Sequence, residues 1–180
     1  ETSFDSETAI LSISREGHRV AEGSLATPAG RAVIAQFFSE FMKEDLRGPP
    51  RIVHAPGHSI SDVAAKCLHI INLKSLAELE RVFGKEVHPL RFRPNLVIDA
   101  APAWTEFDWI GKTLKIGEAE LKVFKRTERC AATNVDPRTG RRDLDVPAAL
   151  KRRWNHNDFG VYARVTRPGR IAPGDTLTVV

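Results

Sequence analysis

Apolar residues recur along this chain in two rhythms. In "TPAGRAVIAQFFSEFMKEDL", residues 27–46, Val33, Ile34, Phe37, Phe38, Phe41 and Met42 fall three and four positions apart, the spacing of one helix face. Thr27 offers an N-cap oxygen, Pro28 suits the first helical position, and "RGPP" ends the run. The aromatic stripe of this helix is expected to be core rather than a ligand box. A second helix is predicted from the capping residue Asn72 through Leu73, Leu76, Leu79, Val82 and Phe83 to the stop signal Gly84. "VPAALKRRW" is a third, shorter one. The remaining pattern is that of strands. "TAILSIS" and "HRVAEG" make a hairpin turning at Glu16 and Gly17, and "RIVHA", "CLHII" and "NLVIDA" follow, with "PGHSISDVAAK" read as a loop. From residue 111 on, "KTLKI", "AELKVFKRTERC", "GVYARV" and "TLTVV" succeed one another at close intervals, punctuated by Gly117, Gly140 and two Pro-Gly pairs. That texture predicts a mostly β, α+β fold: a β-barrel with peripheral helices. No strand leads into a glycine-rich phosphate loop, which argues against a parallel dinucleotide fold.

Composition narrows the class. The 180 residues are 42% hydrophobic and 28% charged, ordinary for a globular domain. No apolar run approaches the length of a membrane span, and the acidic, polar start lacks a signal-peptide pattern. Two cysteines far apart in sequence, Cys67 and Cys130, make neither a disulfide framework nor a zinc site, so a reducing, cytoplasmic compartment is the expectation. The first residue is Glu1, as in a processed chain or a piece of a longer one. Net charge is only +4, but residues 125–153 hold nine basic side chains against four acidic ones, a surplus larger than that of the whole chain. Such a field favours an anionic ligand or partner, unless it is only a solvated charged surface.

Candidate chemistry sits in that stretch. In "RTERCAATNVDP", Cys130 follows Arg129 directly and Arg126 at four positions. Fixed positive charge beside a cysteine favours its thiolate. Strand alternation puts Cys130 on the face of Phe124 and Arg126, and Thr133 and Asn134 beyond it are able to hydrogen-bond a ligand. Two readings of Cys130 are open: a thiol that meets solvent at a strand end, or a buried, inert one. In "RFRPN", Arg93 precedes a proline, which predicts extended backbone, and Asn95 opens a strand. A planar guanidinium fork with a nearby amide suits a flat or phosphorylated ligand. Cys67 reads as core, His69 as a satisfied, partly buried histidine, Trp104 and Trp109 as packing residues, and Tyr162 as a strand residue of the core. His54, His58, His88 and His156 show no ligand spacing.

Three stretches occur together in order. "LRFRPNLVIDA", then "IGKTLKIGEAELKVFKRTERCAATNVDPRTGRRD", then "GVYARVTRPGRIAPGDTLTV" resemble a MOSC domain, the family named for the C-terminal domain of molybdenum cofactor sulfurase. Within the family the resemblance is greatest to bacterial relatives of the mitochondrial amidoxime-reducing component. It covers roughly residues 60–180. It implies a β-barrel-rich fold and a molybdenum cofactor (molybdopterin), with Cys130 as the metal ligand and catalytic centre. It implies cofactor contacts from Arg93 and Asn95, with Arg129, Thr133, Asn134 and Tyr162 in the same cofactor-binding set. Where the animal enzymes have a serine two residues before the cysteine, this chain has Glu128, and no phosphate contact is carried over to it. The resemblance also implies a boundary: residues 1–50 as the tail of an N-terminal MOSC-associated β-barrel domain plus a linking helix, residues 51–180 as the MOSC domain.

The leading functional expectation is a molybdenum-dependent oxidoreductase acting on N-oxygenated small molecules. Its electrons would come from a separate partner, such as a ferredoxin-like or flavin reductase protein, because the chain has no cysteine cluster for an iron–sulfur centre. The alternative is a sulfur carrier using a persulfide on Cys130. A third class, an anion-binding module for nucleic acid, lacks any aromatic-rich binding signature.

Overall fold

The computed structural model describes residues 1–57, 63–99 and 102–180, which form two compact units, Glu1–Ile60 and Ser61–Val180. In the first unit, β1 (Thr2–Asp5), β2 (Ile10–Arg15) and β3 (His18–Ser24) make an antiparallel sheet in the order β1-β2-β3. Helix α1 (Pro28–Phe41) packs on it, and the Thr27 hydroxyl accepts from Gly30 N at 3.1 Å as an N-cap. A side chain at Gly30 would come within 2.2 Å of the Ser24 carbonyl, so glycine lets helix and strand meet. The core is Ile13, Ala21 and Ile34, backed by Leu11, Leu25, Phe37, Phe38 and Ile52. The aromatic stripe is therefore core only in part: Val33, Met42 and Phe41, the last 65% exposed, lie outside it. The helix also ends five residues short of the expected Leu46, and the expected strand 51–55 carries no regular structure after Pro49 and Pro50. β1 was not foreseen. All four of its residues are exposed, and it exists by pairing with β2.

The second unit is a curled six-stranded sheet. β4 (Leu68–Asn72), β5 (Leu96–Ile98), β6 (Thr113–Ile116), β7 (Ala119–Glu128), β8 (Asp158–Arg167) and β9 (Leu177–Val179) lie in the order β5-β4-β8-β7-β6-β9. All neighbours are antiparallel except β4 and β5, which are parallel and joined through α2 (Leu73–Phe83). This is the mixed, mostly β architecture that the strand rhythm predicts, as a half-barrel with two edges. Of the expected loop 56–66, residues 58–62, including His58, lie outside the described residues, as does Ala100 at the end of the expected strand "NLVIDA".

One side of the sheet buries Ile70, Leu114, Ile116, Leu121, Val123, Val161 and Ala163 with Phe107 and Trp109. The other buries Ile71 and Phe159 under α2 and α3 (Val146–Trp154), with Phe92 stacked on Phe159 at 4.1 Å. Strand β4 thus feeds both cores from successive residues, which is why it reads as a continuous apolar run. Asn72 caps α2 and Gly84 ends it in the left-handed conformation, as the sequence predicts. Asn72 also donates to Glu106, a fully buried carboxylate that accepts from Ser75 Oγ at 2.7 Å as well. Burial raises the Glu106 carboxyl above its usual range, and the Ser75 and Asn72 hydrogen bonds oppose that shift. Among the described residues no helix is long and apolar enough to cross a membrane.

Candidate functional site

The site forms where β7 ends. Its pairing with β8 is irregular between Val123 and Lys125 and again between Arg126 and Glu128. At the first of these Phe124 is the extra residue, and it stacks toward Tyr162 while Arg126 lies over the Phe107 ring, so the alternation that would align Cys130 with Phe124 and Arg126 does not hold. The strand stops at Glu128, and Cys130 stands two residues past it, heading a 3₁₀ turn, Ala131–Asn134. Cys130 is exposed, which decides between the two readings of its thiol. Cys67, expected in the core, is half-buried just before β4, and burial pushes its thiol up.

Thr133 and Asn134 serve the turn's own shape. The Cys130 carbonyl accepts from Thr133 N at 3.1 Å and from the Thr133 hydroxyl at 2.8 Å. Asn134 Oδ1 accepts from Val146 N at 2.9 Å, tying the turn to the start of α3. Asn95 Oδ1 accepts from His69 N at 2.8 Å while Asn95 N donates to His69 O at 2.8 Å, which pins the Arg93-Pro94-Asn95 segment to β4. The Asn95 amide nitrogen makes no hydrogen bond among the described residues.

Arg93 departs from expectation. Its backbone is left-handed, φ 49° and ψ 51°, rather than extended, because it closes the 3₁₀ turn Pro89–Phe92 by donating its N–H to Leu90 O at 3.1 Å. A non-glycine residue held there costs on the order of 1–3 kcal/mol, a kind of strain that gathers at functional sites. Its side chain is exposed and in no ion pair among the described residues. Arg129 reaches the same turn: Nη2 donates to Phe92 O at 2.8 Å, with the guanidinium 5.4 Å over the Phe92 ring. Arg91, which the sequence reading passed over, reaches the other way. Its Nη1 donates to Asn134 O at 3.1 Å and, more weakly, to Thr133 O at 3.5 Å, and its Nη2 pairs with Asp143 at 2.7 Å. The expected residues Arg93, Asn95, Arg129, Cys130, Thr133 and Asn134 are thereby gathered onto two turns stitched together. Tyr162 stands one strand away, opposite His69, with ring centroids 5.5 Å apart.

Charges in the site are uneven. The hydrogen bond from Lys85 and the Arg91 guanidinium beside it hold the Asp143 carboxyl below the usual range. Glu128 accepts from Asn157 Nδ2 at 2.9 Å. Burial, then the Arg129 charge, lowers His69 to about 4, although carbonyls of Phe159, Phe92 and Arg93 act in the opposite direction. His69 is therefore neutral at pH 7, and its Nε2 faces Phe159 O at 3.3 Å. Its folded value lies below its unfolded one, so the protein binds fewer protons folded than unfolded between about pH 6.5 and 4. Stability from this group is complete above pH 6.5 and declines as the pH falls toward 4, by roughly 3 kcal/mol in all. His69→Gln keeps a donor for Phe159 O and should flatten the difference between urea midpoints at pH 7 and pH 4.5. An equal pH dependence in variant and parent would refute this assignment.

A groove of about 780 Å³ lies between the sheet edges, lined by Asn95, Leu96, Ile98, Ile116, Ile171 and Leu177 among others. Among the described residues no three His, Cys, Asp or Glu side chains are grouped to hold a metal ion.

Comparison with known proteins gives the family. The family model of the MOSC domain matches residues 56–178. Human mitochondrial amidoxime-reducing component 1 is 29% identical over 79% of this chain and 50% of its own length. Rat mitochondrial amidoxime reducing component 2 is 32% identical over 61% of this chain and 36% of its own. Molybdenum cofactor sulfurase of Caenorhabditis elegans is 35% identical over 54% of this chain and 14% of its own. The chain thus spans half or less of the length of these curated relatives. Among solved structures, YiiM from Geobacillus stearothermophilus shares the fold, with a TM-score of 0.50 at 21% identity, covering 63% of this chain and 53% of that one. With its family model matched across most of its length, this chain belongs to the MOSC domain family.

Proposed function

We propose that this chain holds a molybdenum cofactor through the Cys130 thiolate and reduces N-hydroxylated small molecules with electrons from a separate redox protein. The observation that carries the reading is the exposed Cys130 heading a turn stitched to the strained Arg93 turn. The donor set fits the group. A thiolate is a soft ligand suited to molybdenum, and exposed guanidinium suits a phosphorylated pterin. With no three-residue metal cluster among the described residues, the metal would take its other ligands from the cofactor.

In this reading Cys130 ligates the metal, while Arg93 and the Asn95 amide hold the phosphorylated end. Arg129, bound to Phe92 O, contributes its charge from behind the turn. Thr133 and Asn134 act through the shape of the cysteine turn, and Tyr162 lines the side next to β4. When bound, the cofactor supplies the two-electron oxygen-transfer chemistry that the protein's own side chains lack. The reaction balances as an N-hydroxyl compound plus two electrons and two protons giving the amine-type product and water. The groove beside Asn95 has the size and apolar lining of a small-molecule site.

The test is metal analysis of chain expressed in a cofactor-producing host, followed by reduction of an aryl amidoxime with a reduced viologen as electron donor. The expected result is about one molybdenum per chain and amidine formation. Metal-free protein carrying one extra sulfur on Cys130 by mass spectrometry would instead support the sulfur-carrier reading, which the exposed free thiol also allows.

A further inference from the structure

We propose that Arg91 is a positioning residue for the Cys130 thiol, and that Arg91 and Arg129 lock the cysteine turn and the Pro89–Phe92 turn, which Arg93 closes, into one unit. The consequence for metal rests on the cofactor reading above; the lock itself does not.

The Arg91 side chain is only 2% exposed. A buried cation is costly unless fully paired. Arg91 is not fully paired: its Nε is buried without a hydrogen-bond partner. An apolar side chain of similar volume would fill this space at lower cost, so space filling does not account for a guanidinium here. What the fork does, and an apolar chain cannot, is hold the last two carbonyls of the turn that Cys130 heads. Those carbonyls belong to Thr133, whose hydroxyl and N–H hold the Cys130 carbonyl, and to Asn134, whose side chain holds α3. Any shift of the fork is therefore passed to Cys130 through one residue.

The fork is itself fixed. Asp143 accepts from Arg91 at 2.7 Å and from Lys85 at 2.9 Å, and its own N–H donates to Asn134 O at 3.1 Å. Arg129 supplies the mirror contact, since the carbonyl it grips belongs to Phe92, the residue after Arg91. Arg91 lies within the Pro89–Phe92 turn and Arg129 just before the cysteine turn, and each grips the main chain of the other turn. A lysine at position 91 keeps the charge but, as a point donor, cannot reproduce the fork.

Arg91→Lys decides the matter. In metal-free full chain, Cys130 alkylation by iodoacetamide is followed at one fixed, neutral pH by peptide mass spectrometry, with the half-buried Cys67 as internal reference. Molybdenum per chain is measured after expression in a cofactor-producing host, and circular dichroism reports the fold. A folded variant should show a Cys130 alkylation rate at least about threefold different from the parent's, with Cys67 unchanged. Its molybdenum should fall at least about tenfold. Parent-like values of both in folded Arg91→Lys would overturn the proposal. Should that variant fail to fold, Asp143→Asn removes the charge that fixes Nη2 with little loss of packing. It should move both readouts in the same direction by less, and unchanged readouts there overturn the proposal equally. If the parent itself carries no molybdenum, the cofactor reading falls, while the alkylation comparison still decides the role of Arg91.

Discussion

On the proposed cofactor reading, Cys130→Ser is expected to fold like the parent and to hold less than roughly a tenth of the parent's molybdenum, with any amidoxime reduction lost in proportion. The thiol is exposed, and the turn around it is held by main-chain carbonyls, Thr133, Asn134 and Arg91 rather than by sulfur. Removing sulfur therefore takes nothing from the core. What disappears is the one soft donor of the site, which a hydroxyl does not replace. Thermal unfolding beside metal content makes the comparison, and a variant that keeps both metal and activity would remove Cys130 from the ligand role.

The largest expected loss of stability comes from one methyl group. Gly160, at the start of β8, has φ +78°, and a Cβ there would lie 2.5 Å from the Ile70 carbonyl oxygen and 2.6 Å from His69 Nε2. Neither can move freely. Ile70 is in the middle of the sheet, and His69 is buried beneath the link to Asn95. Left-handed strain and the clash together put Gly160→Ala at about 3 kcal/mol or more. Gly140→Ala is the control, because Gly140 has a similar φ of +70° and nothing within 4 Å of an added Cβ. It should cost only the strain, about 1 kcal/mol. Urea denaturation of both variants gives the comparison, and equal losses would show that close approach at Gly160 contributes nothing.

What the sequence discloses about this molecule is mostly what local chemistry decides. Thr27, Asn72 and Gly84 mark helix ends because capping needs only the residue and its near neighbours, and each stands at the end expected of it. The strands from β6 to β9 were legible from turn residues and alternation. The details of the site were not, because they depend on partners far away in the chain. Arg91 and Glu106 look like ordinary surface charges until the fold brings Asp143, Ser75 and Asn72 to them. The left-handed Arg93 contradicts what its proline neighbour alone would predict, since the turn from Pro89 outweighs that local preference. Thr133 and Asn134 were recognised as belonging beside Cys130, but their contacts are inward, to the turn and to α3.

The irregular pairing of β7 with β8 bears on any attempt to move this chemistry elsewhere. A scaffold that received residues 129–134 behind a regular strand would aim the sulfur along a different line. Deleting a single residue between Val123 and Glu128 would do the same within the native chain, while every residue of the motif remained present. Transplantation therefore has to include the irregular strand as well as the motif it carries.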